Sequence, residues 1–239
     1  MTCSNPNATE SANVTEKLKA HARELEPYVI ERRRYFHAYP ELSAREVSTS
    51  RTIAEELDKL GVEYVRAGGT GLIATIKGTA PDAYDEEGKP RRRIALRTDM
   101  DALPVLEQTK LPFASRNEGV MHACGHDAHM AMVLALAQYV DTQKDLPCNV
   151  LCVFQPAEET TGGAKEICET GVLEKYNVNR IFGIHMWPFA EAGSISSKPG
   201  PMMPRSSEIT IEVFGRSSHA AGKGDRRALH RMPVYRAGL

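Results

Sequence analysis

Residues 119–140 read GVMHACGHDAHMAMVLALAQYV, and the placement of this stretch decides the fold. From His126 onward it carries small and apolar helix formers and no proline, which predicts a helix. Ahead of it, residues 93–104 (RIALRTDMDALP) start as an apolar strand and leave the sheet near Asp99. Behind it, residues 149–159 (NVLCVFQPAEE) form an apolar, β-branched strand that stops at Pro156. Strands alternating with helices imply a mostly parallel sheet covered by helices.

The alternation continues outward. Residues 14–39 and 46–60 read as helices, the first ended by Pro40 and the second closed by Gly61. Residues 71–78 (GLIATIKG) read as a strand, 161–176 as a helix and 180–188 (RIFGIHMWP) as another strand. The expected fold is α/β, a mostly parallel sheet with helices on both faces. After Trp187 the character changes. Residues 190–207 are rich in Gly, Pro and Ser and read as a strand plus linker. Residues 208–215 (EITIEVFG) alternate strictly, as a half-buried strand with one solvated face does. We place a boundary near Met203. Residues 1–203 form the first portion of a metal-binding catalytic domain, and 204–239 the beginning of a smaller α+β domain.

The 239 residues carry 30 Lys and Arg against 31 Asp and Glu, a net charge of −1. That balance excludes an electrostatic case for nucleic acid or an anionic membrane. The run Arg91–Arg92–Arg93 reads as a solvated loop edge. The N-terminus is polar, without a signal-peptide apolar segment, and the helix at 130–140 is too short to span a bilayer. Five scattered cysteines make no disulfide framework, so a reducing cytoplasm is the expected compartment. Cys148, Cys152 and Cys168 are expected to pack as small buried hydrophobes.

In sheets of this kind functional groups gather beyond the carboxyl ends of the strands. Three predicted strands end in polar residues: Asp99 and Asp101, then Glu158 and Glu159, then His185. Between His122 and His129 lie three histidines, Cys124 and Asp127. Thiolate and imidazole suit zinc and similar divalent ions, and Cys124 and His126 at a helix entry can aim at one point. Asp127 also suits the helix N-terminus, and His122 fits a surface or hydrogen-bonding role better than ligation. Adjacent Glu158 and Glu159 point differently in a turning backbone, so one can bind an ion while the other faces a water as its base. Asp99 and Asp101 either cap the turn or orient a ligating group. Gly162 and Gly163 let the following backbone approach closely. Together Cys124, His126, Glu159 and His185 point to a metallohydrolase.

The segments RRYFHAYPELS, ALRTDMDALPVLE, MHACGHDAHMAMVLALA, VFQPAEETTGGAKEICETGVLE, GIHMWP and GRSSHAA resemble peptidase family M20, more narrowly its amidohydrolase branch of N-acyl-amino-acid, hippurate and auxin-conjugate hydrolases. The resemblance runs from about Tyr28 to Ala221. It implies a zinc-peptidase-like catalytic domain and a smaller lid and dimerisation domain. It implies Cys124, His126, Glu159 and His185 as ligands of one or two divalent ions, zinc or manganese, with Glu158 as general base and Asp101 orienting the site. It places His219 against a substrate oxygen, often across a homodimer. The implied substrate is a small N-acyl amino acid; a dipeptidase or carboxypeptidase of the same fold is the alternative, and a non-catalytic remnant a further one. The family chain is longer and returns to its catalytic domain to supply a last histidine. Residues 222–239 depart from the family pattern, so His230 is not that ligand, and the chain is expected to be C-terminally truncated.

Overall fold

The computed structural model describes residues 6–160, 162–202, 208–212 and 231–235. The chain divides into two compact units, Met1–Trp187 and Pro188–Leu239. In the first unit the elements are α1 (Pro6–Ala38), α2 (Val47–Leu60), β1 (Glu63–Arg66), β2 (Leu72–Ile76), β3 (Arg93–Asp99), α3 (His126–Asp141), β4 (Asn149–Gln155), α4 (Gly163–Glu169), α5 (Val172–Lys175) and β5 (Arg180–Gly183). The second unit contains β6 (Glu208–Glu212) and β7 (Arg231–Tyr235), paired antiparallel.

The sheet of the first unit has the order β1-β2-β4-β3-β5. The α/β class follows the sequence expectation, and α3 joins β3 to β4, which pair parallel from Arg93↔Asn149 to Asp99↔Gln155. β5 also runs parallel to β3. The sheet is evenly mixed rather than mostly parallel, because β1–β2 and β2–β4 are antiparallel. The tight turn at 67–71 is too short to cross over, so it reverses the chain between β1 and β2.

Side-chain alternation along the strands builds a core on each face. Leu72, Ala74 and Ile76 of β2 and Val150, Cys152 and Phe154 of β4 pack with Phe36 of α1, Ile53 and Leu57 of α2, and Met130 and Leu134 of α3. Ile73, Ala95, Leu151 and Val153 meet Ile167 of α4 on the other face, with Val172 and Leu173 of α5 alongside. All seven residues of β4 are buried, whereas all four of β5 are exposed at the sheet edge.

Several expectations need correction. The helix predicted at 161–176 is two short helices, broken at Gly171 (φ 66°). β5 ends at Gly183, so His185 lies in the loop beyond it rather than on the strand. The strand expected within 190–207 is absent among the described residues 190–202. Cys168 is exposed, unlike Cys148 and Cys152, because it sits on the outer side of short α4. No helix among the described residues is long and apolar enough to cross a membrane.

Candidate metal centre

β4, β3 and β5 are consecutive in the sheet and parallel, so their carboxyl ends open on one edge. α3 starts at that edge because it is the crossover from β3 to β4. Gly125 enters α3 at φ 100°, a backbone region where an L side chain is strained, and so turns the chain between Cys124 and His126. At the exit of β4, Ala157 adopts φ 49°. A non-glycine residue held there costs roughly 1–3 kcal/mol and persists only where the surroundings impose it. Gly163 explains part of the imposition: a Cβ at this position would lie 1.7 Å from the Pro156 carbonyl oxygen.

Three sets of possible ligand atoms share His126, and two of them face the strand-end carboxylates and His185. Cys124, His126 and His185 form one; His126, Glu158 and Glu159 form the other. Cys124 Sγ and His185 Nε2 are 3.3 Å apart. His126 Nε2 stands 3.7 Å from Glu159 Oε1 and 3.9 Å from Glu158 Oε2. Ligands sharing one tetrahedral zinc ion at bond lengths of 2.0–2.3 Å stand about 3.3–3.8 Å apart, so these spacings suit an ion. His126 Nε2 and Glu159 Oε1 are both buried without a hydrogen-bond partner. Buried polar atoms are seldom left unpaired, and here two such atoms face each other with complementary ligand chemistry. The thiolate, imidazole and carboxylate donors fit a zinc-like divalent ion.

The surrounding groups orient these atoms. His126 Nδ1 donates to the Asp101 carbonyl oxygen (2.9 Å), which leaves Nε2 as its free donor atom. The Asp101 carboxylate accepts from the Glu159 N–H (2.9 Å) and the Ser43 hydroxyl (2.6 Å). His185 Nδ1 donates to the Met186 carbonyl (2.7 Å), and the Met186 N–H donates to His129 Nε2 (2.8 Å). His129 Nδ1 in turn donates to Asp99 (2.7 Å), whose second oxygen accepts from Arg97 (2.8 Å). Asp99, His126 and His129 also lie close enough to suggest a metal group. Both nitrogens of His129 are engaged, so it supports the site rather than ligating.

Burial lowers the His126 pKa, but Asp101, Cys124 and Asp99 outweigh it and raise it to about 11. Burial raises that of Asp99, but the His129 hydrogen bond and the charges of His126 and Arg97 bring it down to about 2. Burial raises Glu159 above the carboxylate range, with the Glu158 charge adding to it.

The structure thus brings Cys124, His126, Glu158, Glu159, His185, Asp99 and Asp101 together. His219 and His230 lie outside the described residues. His122 departs from expectation: it is buried, neither ring nitrogen has a partner, and burial lowers its pKa to about 4. Asp127 does more than face the helix N-terminus, since it bonds His37 (2.8 Å) and Arg33 (3.2 Å) of α1. The support by His129 escaped the sequence reading. Its spacing of three from His126 was the available signal, because it puts both rings on one side of α3.

A mixed α/β sheet whose parallel strand ends gather a thiolate, imidazoles and carboxylates defines a metal-site protein of the peptidase and hydrolase class. The model of peptidase family M20/M25/M40 matches residues 95–230, and the chain belongs to this family. Thermostable carboxypeptidase 1 of Saccharolobus solfataricus is 42% identical over 214 residues, covering 87% of this chain and 52% of that protein. Thermostable carboxypeptidase 2 of the same organism is 41% identical with the same coverage. The crystal structure of a dinuclear metal-binding M20 peptidase from Bacillus subtilis superposes with a TM-score of 0.69 at 33% identity, covering 87% of this chain and 62% of that one. The chain spans about half the length of the curated relatives it matches.

Proposed function

We propose that this chain carries the metal site of a metal-dependent amidohydrolase that cleaves N-acyl amino acids to a carboxylate and a free amino acid. The observation that carries the reading is the pair of unpartnered buried atoms, His126 Nε2 and Glu159 Oε1, 3.7 Å apart beside the Cys124–His185 pair. Cys124, His126, Glu159 and His185 are the proposed ligands of one or two zinc or manganese ions. A divalent ion supplies Lewis-acid chemistry at such a site, acidifying water and polarising a carbonyl.

The chain's own residues do the rest. Glu158 stands at the mouth, its side chain 38% exposed, where it takes the proton of the attacking water and returns it to the leaving amine. Asp101 holds the Glu159 peptide and the His126 ring, so both donors are set before substrate arrives. His219 is assigned to a substrate oxygen, and residues 204–239 to the beginning of a lid and dimer face. Residues 1–203 are assigned to the catalytic domain, and the working form to a cytoplasmic homodimer.

The names of the two Saccharolobus relatives favour a second reading, a carboxypeptidase acting on a peptide. Hydrolysis of N-acetylmethionine and hippurate, compared with a dipeptide bearing a free α-amino group, separates the two. Glu158→Gln tests the base: turnover is expected to fall at least about 10²-fold with metal content unchanged. A near-normal kcat in that variant overturns the assignment.

A further inference from the structure

Glu46 immediately precedes α2, and its carboxylate is fully buried, 0% exposed. It does not cap its own helix through its side chain. Its oxygens reach across the fold instead. Oε1 accepts from the Ala157 N–H at 2.8 Å, and Oε2 accepts from the Thr70 hydroxyl at 2.7 Å. A buried carboxylate is costly unless its lone pairs are used, and here they join the start of α2, the turn before β2 and the exit of β4.

We propose that Glu46 is the positioning residue for the Glu158–Glu159 pair, an inference that rests on the metal-site reading above. Ala157 is the left-handed residue of the exit turn, and it directly precedes Glu158. Two residues on, the Glu159 N–H is held by Asp101 at 2.9 Å. The proposed base is therefore bracketed by two peptide groups, each fixed by a buried carboxylate from another part of the chain. Glu46 fixes the near side and Asp101 the far side. The backbone between them has little freedom, which sets Glu158 toward the mouth and Glu159 inward to His126. Length matters in this arrangement. Aspartate is one methylene short of spanning Ala157 and Thr70. Glutamine keeps the span, since its carbonyl accepts from Ala157 and its amide donates to the Thr70 oxygen.

The test uses Co²⁺ as the probe ion, with its visible spectrum and thiolate charge-transfer band read during titration. Hydrogen exchange of the peptide spanning residues 154–160 is measured alongside. Glu46→Ala and Glu46→Asp are expected to speed exchange there and to weaken Co²⁺ binding roughly 10–100-fold, the usual loss when a ligand's supporting partner is removed. Glu46→Gln is expected to stay close to wild type in both. Wild-type Co²⁺ affinity in the Ala and Asp variants, with only the unfolding midpoint lowered, would mean that Glu46 merely braces the fold. If Glu46→Ala does not fold, the Asp and Gln variants decide by the same readouts. A wild-type chain that binds no Co²⁺ sinks the metal reading itself. In that event unchanged exchange in Glu46→Asp still overturns the hold on Ala157, and faster exchange upholds it.

Discussion

β4 and β5 flank β3 and open on the same sheet edge, yet they deliver their side chains in different ways. β4 is buried along its whole length, and the peptides after it are tied to Glu46 and Asp101. β5 is exposed along its whole length, and His185 beyond it is exposed too. Two contacts hold His185: its Nδ1 donates to the carbonyl of Met186, whose own N–H donates to His129, and its Nε2 stands 3.3 Å from Cys124 Sγ. The proposed ligand set is thus built in two halves. Glu159 and His126 inherit the rigidity of the sheet centre. His185 rests on the Met186–His129 clamp and on Cys124 at the edge.

The largest expected effect tests that contrast in stability. Phe154 is fully buried in β4, so Phe154→Ala should cost about 3–5 kcal/mol in chemical denaturation. Phe182 of β5 is 51% exposed, and Phe182→Ala should stay within about 0.5 kcal/mol. Similar losses in the two would show that β5 is as firmly built in as β4.

Metal content sharpens the comparison within the edge half. Cys124→Ala removes a proposed ligand and should weaken zinc by more than the roughly 10–100-fold that loss of a supporting partner costs. Cys168, exposed on α4, should have no effect when changed to Ala. Equal metal content in the two purified variants removes Cys124 from the ligand set.

His129 offers a finer cut, because two substitutions separate its two bonds. Asparagine keeps a donor for Asp99 but does not reach the Met186 N–H. Glutamine offers Met186 an acceptor but cannot donate as Nδ1 does. If the clamp on His185 is what matters, His129→Asn should weaken Co²⁺ about tenfold, and His129→Gln should weaken it less. The reverse order would place the importance on Asp99 instead.

The α/β alternation was legible because long apolar strands flank a long apolar helix. The ligand candidates were legible because they crowd into short segments at strand ends. Strand direction was not: β2 has the same apolar pattern whether it runs with β4 or against it. β1 and β7 are short and carry polar or proline residues, so neither has a strand signature of its own. The supports were hidden for another reason. Glu46 and Ala157 are 111 residues apart, and His129 and Met186 are 57 apart. A single buried hydrogen bond at such separation leaves no periodic trace in either segment.

The smallest expected effect concerns the helical roof that covers one face of β4. α1 and α2 are joined there by Glu56, which accepts from Tyr28 (2.8 Å) and Arg32 (3.2 Å) of α1 and from Lys59 (2.6 Å) of its own helix. Burial pushes the Glu56 pKa up, but Lys59, Tyr28 and Arg32 outweigh it and leave it below its ordinary 4.5. A carboxylate lowered on folding contributes stability above its unfolded pKa and loses it as pH falls through the folded value. Glu56→Gln should therefore flatten the decline of stability as pH falls below the ordinary 4.5 of a glutamate, while costing on the order of 1 kcal/mol at neutral pH. Denaturation midpoints across that range check it. An acid limb as steep in Glu56→Gln as in wild type would mean that other carboxylates set the acid sensitivity, and that the roof over β4 does not depend on this charge.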